Sequence, residues 1–232
     1  AISHSVQREL KEWLTENTTA ISKPELHFFH LGADINNAEP SKGLPNNAQN
    51  VLQSLSKRST FLMVGTIEPR KGQAQTLAAF DLLWANGVDV NLTIVGKQGW
   101  LVDELIKNVK SHPESGKRLF WLDNVSDEYL KHVYAASTCL IAASEGEGFG
   151  LPLIEATQHK LPIIARDIPV FKEVAGNHAF YFNGLQPESL SNAVKAWLDL
   201  KENGQAPDSK HMPWLTWKQS TEQLLSVLLK MN

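Results

Sequence analysis

Glu147 and Glu155 close the two ends of the run Glu147-Gly148-Phe149-Gly150-Leu151-Pro152-Leu153-Ile154-Glu155. An apolar run of strand length, Cys139-Leu140-Ile141-Ala142-Ala143, precedes it, and Ala156-Thr157-Gln158-His159 follow. Pro152 suits the first turn of a helix, where the N–H it lacks would have no partner anyway. The pattern therefore predicts a strand, a glycine-rich turn and a helix N-terminus, with one carboxylate in the turn and one on the first helical turns. Unpaired backbone N–H groups and the positive end of the helix dipole favour an anion at such a junction. Gly148 and Gly150 let that anion approach the main chain. Carboxylates repel phosphate but accept hydrogen bonds from hydroxyls. The pair therefore suits hydroxyl groups on either side of a phosphate, such as a sugar and a ribose. The spacing alone is weak ground, since glutamates recur by chance in any chain. The Phe-Gly-Leu-Pro between them, at a strand-to-helix junction, is what points to a ligand.

A second segment supplies the opposite charge. Gly65-Thr66-Ile67-Glu68-Pro69-Arg70-Lys71-Gly72 follows a strand-like run and precedes a helical one. Arginine offers a planar fork to phosphate and lysine a compact point charge. Fixed cations stabilise a departing diphosphate without reorganising. The plain alternative is an exposed basic pair at a helix start. Gly96-Lys97-Gln98-Gly99-Trp100 follows the next strand on the same strand-end surface. No Asp-x-Asp occurs in the chain. His27 and His30 in a strand would point to opposite faces, and His159 near a helix C-terminus suits a dipole partner. No metal and no cofactor are expected.

The elements that must position these groups are legible as an alternation of short apolar and longer amphipathic runs. Phe61 to Val64, Leu92 to Val95, Leu119 to Leu122, Cys139 to Ala143, Pro162 to Ala165 and Phe180 to Phe182 read as strands. Between them, Leu77, Phe80, Leu83 and Trp84 recur at helical spacing, with Asn86-Gly87 as the stop. Another helix is predicted near Leu101 to Ser111, and a long one from Pro187 to Asn203. Ser126 is a plausible N-cap with Asp127 and Glu128 behind it. Such alternation predicts an α/β fold with a doubly wound parallel sheet, which binds ligands at the carboxyl ends of its strands. Residues 36–50 and 204–213 read as loops. In the tail, Trp214, Trp217, Leu224, Leu225 and Leu228 form a near-helical stripe that suits either core packing or a partner surface. A net charge of −3 gives no general attraction to nucleic acid or anionic membrane. The single cysteine, Cys139, excludes an intramolecular disulfide.

The run at residues 147–156, together with the segment around Arg70 and Lys71, resembles the retaining glycosyltransferases of family 4, which have the two-domain GT-B fold. Their hallmark is two glutamates separated by seven residues, and the similarity extends over nearly the whole chain. By this resemblance the chain is the C-terminal, Rossmann-like donor half of such an enzyme. Residues 1–35 correspond to the end of an N-terminal acceptor domain and a hinge at His30-Leu31-Gly32-Ala33-Asp34. Residues 36–205 form the nucleotide-sugar domain, and residues 206–232 a helix that crosses back. Glu147, Arg70 and Lys71 would be catalytic, Lys71 standing at the family's lysine position. Arg70 would replace an arginine that relatives often carry where this chain has Thr66. Gly65, Thr66, Lys97, Val125, Phe149, Gly150 and Leu151 would line the donor, and Glu155 would bind its ribose. The Gly-Thr-x-x-Pro-Arg-Lys variant resembles bacterial mannosyl- and rhamnosyltransferases of surface polysaccharides such as O-antigen, with GDP-mannose as the first choice of donor. The implied partners are a nucleotide sugar, a glycan acceptor and the absent acceptor domain. The implied place is the cytoplasm, with peripheral membrane contact through the absent part at the inner face of the plasma membrane. Alone, the chain is expected to bind donor weakly and transfer nothing. A nucleotide-binding module without transfer activity is the alternative. An NAD-type Rossmann protein is disfavoured, because no Gly-x-Gly-x-x-Gly follows the first strand.

Overall fold

A computed structural model describes residues 1–17, 24–34 and 42–229 of the 232-residue chain. Six strands form one sheet: β1 (Ser59–Val64), β2 (Val90–Val95), β3 (Leu119–Leu122), β4 (Cys139–Ala142), β5 (Ile163–Arg166) and β6 (Phe180–Phe182). Their order is β3-β2-β1-β4-β5-β6, and every neighbouring pair is parallel. The chain thus winds outward from β1 in one direction, returns to the centre at β4 and winds outward in the other. The crevice between the carboxyl ends of β1 and β4 is the topological switch point, where sheets of this kind hold ligands.

Side-chain alternation along the strands divides the core into two layers. On one face, Leu62, Leu140, Ile163 and Ala165 pack against helices α2 (Ala48–Ser56), α5 (Asp127–Ala136), α6 (Leu151–Gln158) and α7 (Pro169–Ala175). On the other, Phe61, Met63, Leu92, Ile94 and Ile164 pack against α3 (Gln73–Ala85), α4 (Asp103–Ser111) and α8 (Pro187–Glu202). Helix α1 (His4–Asn17) lies against α7, and α9 (Trp217–Leu229) closes the described chain. A sheet with both faces covered needs largely apolar strands, and the few polar residues within them, such as Asn91 and Thr93 of β2, are buried too. β2 and β4 are buried at every position.

The strand runs and helix limits fall where the sequence places them, with four differences. Helix α2 begins at Ala48, so the last residues of the predicted 36–50 loop are helical, while 36–41 lie outside the described residues. The helix expected from Leu101 starts two residues later, because Leu101 adopts a left-handed φ of 53°. His27 and His30 are not in a strand; the pairing nearby is a single bridge between Gly32 and Leu215. They diverge all the same, His27 to Glu25 and His30 to Glu173. Finally, the tail stripe is not core. Trp217 is 50% exposed and Leu228 51% exposed, because α9 docks through its other side. Trp217 N–H donates to Asp34, Ser220 Oγ donates to the His30 carbonyl, and Gln223 accepts from His30 N–H.

Candidate functional site

The turn after β1 reaches across the switch point toward β4. A short 3-10 turn, Pro69–Lys71, follows Glu68, with Lys71 N–H donating to the Glu68 carbonyl at 3.0 Å. Gly72 then starts α3 with φ 76°, and a Cβ placed on it would meet the Ala143 carbonyl oxygen at 2.4 Å. Only glycine satisfies both the left-handed backbone and that approach. The contact lets Glu145 N–H donate to the Arg70 carbonyl at 2.8 Å and Arg70 Nη1 donate to the Gly146 carbonyl at 2.8 Å. The two glycine-containing turns are thereby laced together.

Three of the predicted side chains meet there. Lys71 Nζ lies 2.5 Å from Glu147 Oε1, which also accepts from Ser144 Oγ at 2.7 Å. Arg70 Nη1 lies 3.4 Å from Glu147 Oε2, and its Nη2 lies 3.2 Å from Glu68 Oε1. The remaining Glu68 oxygen accepts from Trp100 Nε1 at 2.9 Å. Glu147 and Lys71 are largely enclosed, with side chains 12% and 18% exposed, whereas Arg70 at 46% still faces solvent. Both cations are thus paired with the turn's own carboxylate.

The turn ends at Gly150, whose φ of 97° makes it the N-cap of α6. Among the described residues, the N–H groups of Phe149, Gly150 and Leu151 donate no hydrogen bond, so the helix end has unused donors. Phe149 is buried, its ring tilted against His30 at 5.4 Å.

Glu155 stands one helical turn further on and faces α5 instead of the cations. Its Oε2 accepts from the Tyr134 hydroxyl at 2.7 Å. Burial pushes the Glu155 carboxyl up from its ordinary value; the Tyr134 hydrogen bond opposes that rise and Asp127 adds to it. Burial also raises the Tyr134 hydroxyl well above its usual range, as does its carboxylate partner. His159 stands at the C-cap of α6, as expected, and stacks on Tyr134 at 4.7 Å and 5°. Burial and then Lys131 lower its pKa, so it favours the neutral form.

The other predicted residues lie around this centre. Gly65 and Ile67 donate to the carbonyls of Val95 and Lys97, both at 2.9 Å, and zip the turns after β1 and β2 together. Thr66 is exposed, and its carbonyl accepts from Gln73. Lys97 is exposed, with its ammonium in no ion pair among the described residues. Val125, half-buried between β3 and α5, packs against the core on the α6 side. Among the described residues no three His, Cys, Asp or Glu side chains converge as a metal site would require.

Two supports escaped the sequence reading. Arg166, 5% exposed at the end of β5, donates to the carbonyls of Ala143 (2.8 and 3.0 Å) and Ser144 (3.1 Å), and also to Gly184 and Gln75. It fixes the backbone that presents Ser144 and Glu147. An arginine closing an apolar strand was the available signal. Glu173 on α7 gathers the N-terminal segment: it accepts from His4 N–H, Ser5 N–H, Ser5 Oγ and His30 Nε2 at 2.6–2.8 Å. Burial alone would raise its carboxyl, but these hydrogen bonds hold it below the ordinary value. Ser3 Oγ donates to the Gly148 carbonyl at 2.8 Å, so the start of the chain touches the turn bearing Glu147.

Comparison with known proteins identifies the family. The profile of the family described as Glycosyl transferases group 1 matches residues 46–210. The serotype-specific mannosyltransferase WbdA of Escherichia coli is 54% identical over 230 residues, covering 98% of this chain and 28% of that protein. The O-antigen chain mannosyltransferase RfbU of Salmonella typhimurium is 30% identical over 149 residues, covering 64% of this chain and 41% of that one. The crystal structure of a glycosyltransferase from Rickettsia africae superposes with a TM-score of 0.71 at 20% identity, covering 96% of this chain and 61% of that one. This chain therefore spans well under a third of the length of WbdA. With the family profile covering most of the chain and the GT-B-type sheet beneath it, the chain belongs to the group 1 glycosyltransferases.

Proposed function

We propose that this chain is the donor-binding half of a retaining glycosyltransferase. It would move a hexose, mannose from GDP-mannose as first choice, onto a glycan acceptor during surface polysaccharide synthesis. The observation that carries this reading is the meeting of Arg70, Lys71 and Glu147 with the unused N–H groups of α6 at the switch point, with Glu155 on the same helix. The names of WbdA and RfbU support mannose and O-antigen.

In this mechanism the diphosphate takes Lys71 and Arg70 away from Glu147, because it offers more negative charge than a single carboxylate. Glu147, released, accepts hydrogen bonds from hydroxyls of the donor sugar and orients it. The N–H groups of Phe149, Gly150 and Leu151 hold phosphate or sugar oxygens, and Glu155 holds the ribose. As the glycosidic bond breaks, charge grows on the diphosphate, and the fixed cations stabilise it. The leaving phosphate accepts the acceptor's proton on the same face, so configuration is retained and this half supplies no general base. Reaction would take place in the cytoplasm at the inner face of the membrane. No helix among the described residues is long and apolar enough to cross a membrane.

Thermal unfolding with GDP, UDP, ADP and dTDP, each with and without magnesium, tests the reading. Ligand at 100 times its dissociation constant adds about 2.7 kcal/mol. A magnesium-independent rise in Tm with GDP above the other nucleotides is expected. No rise with any of them contradicts donor binding by this chain.

A further inference from the structure

We propose that the Tyr134 hydroxyl positions Glu155 against the ribose, and so sets how strongly the site prefers ribonucleotides to 2′-deoxyribonucleotides. The inference rests on the reading of Glu155 as the ribose-binding group.

The geometry is built for one orientation. Tyr134 is 2% exposed, and its hydroxyl donates to Glu155 Oε2 at 2.7 Å. Its ring cannot swing away, because His159 stacks on it at 4.7 Å with the planes 5° apart. His159 is in turn tied to α6, its N–H donating to the Glu155 carbonyl at 3.2 Å. Tyrosine, carboxylate and histidine thus form one rigid unit spanning α5 and α6. Tyr134 occupies one carboxylate oxygen and leaves Oε1 as the acceptor for a ligand.

Such an acceptor suits a vicinal diol. A site that hydrogen-bonds a hydroxyl rejects the analogue lacking it, because its own buried group is then left unpaired. The discrimination depends on Glu155 being both ionised and held still, and the surroundings do little else to secure either. Asp127, at the start of α5, favours the protonated carboxyl, as burial does. His159 is held toward its neutral form by burial and by Lys131, so no cation faces Glu155 from α6. The Tyr134 hydrogen bond is the contact that opposes protonation. Removing the hydroxyl would leave the carboxyl freer to rotate and readier to take a proton.

Binding of GDP and 2′-deoxy-GDP to the chain and to its Tyr134→Phe and Glu155→Gln variants, from neutral pH downward, tests this. The unsubstituted chain is expected to prefer GDP by roughly tenfold, the worth of one hydrogen bond to a charged acceptor. In Tyr134→Phe the preference shrinks to less than about threefold, and GDP affinity begins to fall at a higher pH on acidification. A merely structural tyrosine would weaken both nucleotides equally, leaving the ratio and the pH profile unchanged, which overturns the proposal. If Glu155→Gln abolishes the preference while Tyr134→Phe keeps it, the ribose reading stands and this inference alone fails. If the unsubstituted chain binds both nucleotides alike, the ribose reading fails first. Should Tyr134→Phe not fold, the chain's three tyrosines allow a direct view by ¹³Cζ labelling. The Tyr134 signal is expected to move with GDP and less with 2′-deoxy-GDP. Equal movement, or none, overturns the proposal.

Discussion

Glu147 and Glu155 are the same residue type on one short turn and helix, yet their surroundings differ in kind. Glu147 lies among cations, with Lys71 at 2.5 Å and Arg70 at 3.4 Å. Glu155 is half-buried beside a neutral hydroxyl, and desolvation pushes its carboxyl up. One end of the site is electrostatic, and under the proposed function it exchanges partners when the donor arrives. The other is desolvated and already fixed in place. A donor that is sugar at one end, diphosphate in the middle and nucleoside at the other needs both arrangements. Turnover should therefore depend on the cationic end and nucleotide preference on the end held by Tyr134.

The largest expected effect is on chemistry. In the full-length enzyme, Lys71→Ala should lower kcat by roughly 100- to 1,000-fold, the usual cost of losing one preorganised charge-stabilising group. Its effect on nucleotide affinity should be much smaller. Steady-state kinetics checks this, and an effect confined to KM would erase the distinction between the two ends.

Arg166→Met comes next. It strips the carbonyls of Ala143 and Ser144 of their donor, and should cost about 3 kcal/mol of stability, as the loss of a buried charged partner does. Denaturant unfolding measures that loss. The turn bearing Glu147 should loosen while the preference for GDP over 2′-deoxy-GDP survives, since Tyr134 and His159 hold Glu155 independently.

Glu155→Gln should weaken GDP by roughly tenfold and leave kcat nearly unchanged at saturating donor. The pH dependence carries the sign. A carboxyl raised by burial takes up its proton earlier as pH falls, so GDP affinity should decline on acidification in the unsubstituted chain and stay flat in Glu155→Gln. Titration calorimetry across pH distinguishes the two.

Acid also probes the anchor of the N-terminal segment. Glu173 has a lowered carboxyl, so its contribution to stability is full above the unfolded carboxylate pKa. It is lost as pH falls through the lower folded value. Hydrogen exchange should show α1 losing protection in that window, and Glu173→Gln should remove the pH dependence.

Much of this fold was legible because each strand is a short apolar run ended by glycine or a polar residue, as at Val64-Gly65 and Val95-Gly96. The cationic end was legible for the same reason. Arg70, Lys71 and Glu147 sit on turns directly after strands, so sheet topology alone brings them together. The supports were not legible. Arg166 reaches Gln75 from 91 residues away, and Tyr134 meets Glu155 only because α5 and α6 pack side by side. No local spacing encodes such contacts. The tail stripe shows the converse limit: apolar spacing announces a helix face but not what covers it, and Trp217 and Leu228 remain exposed.

The most direct test of the two-ended site is a crystal structure of this chain with GDP. The account predicts the diphosphate at the N–H groups of Phe149 to Leu151, Lys71 drawn from Glu147 onto phosphate, and the ribose on the free oxygen of Glu155. A nucleotide bound elsewhere, or one that leaves Lys71 paired with Glu147 and Glu155 untouched, would contradict it.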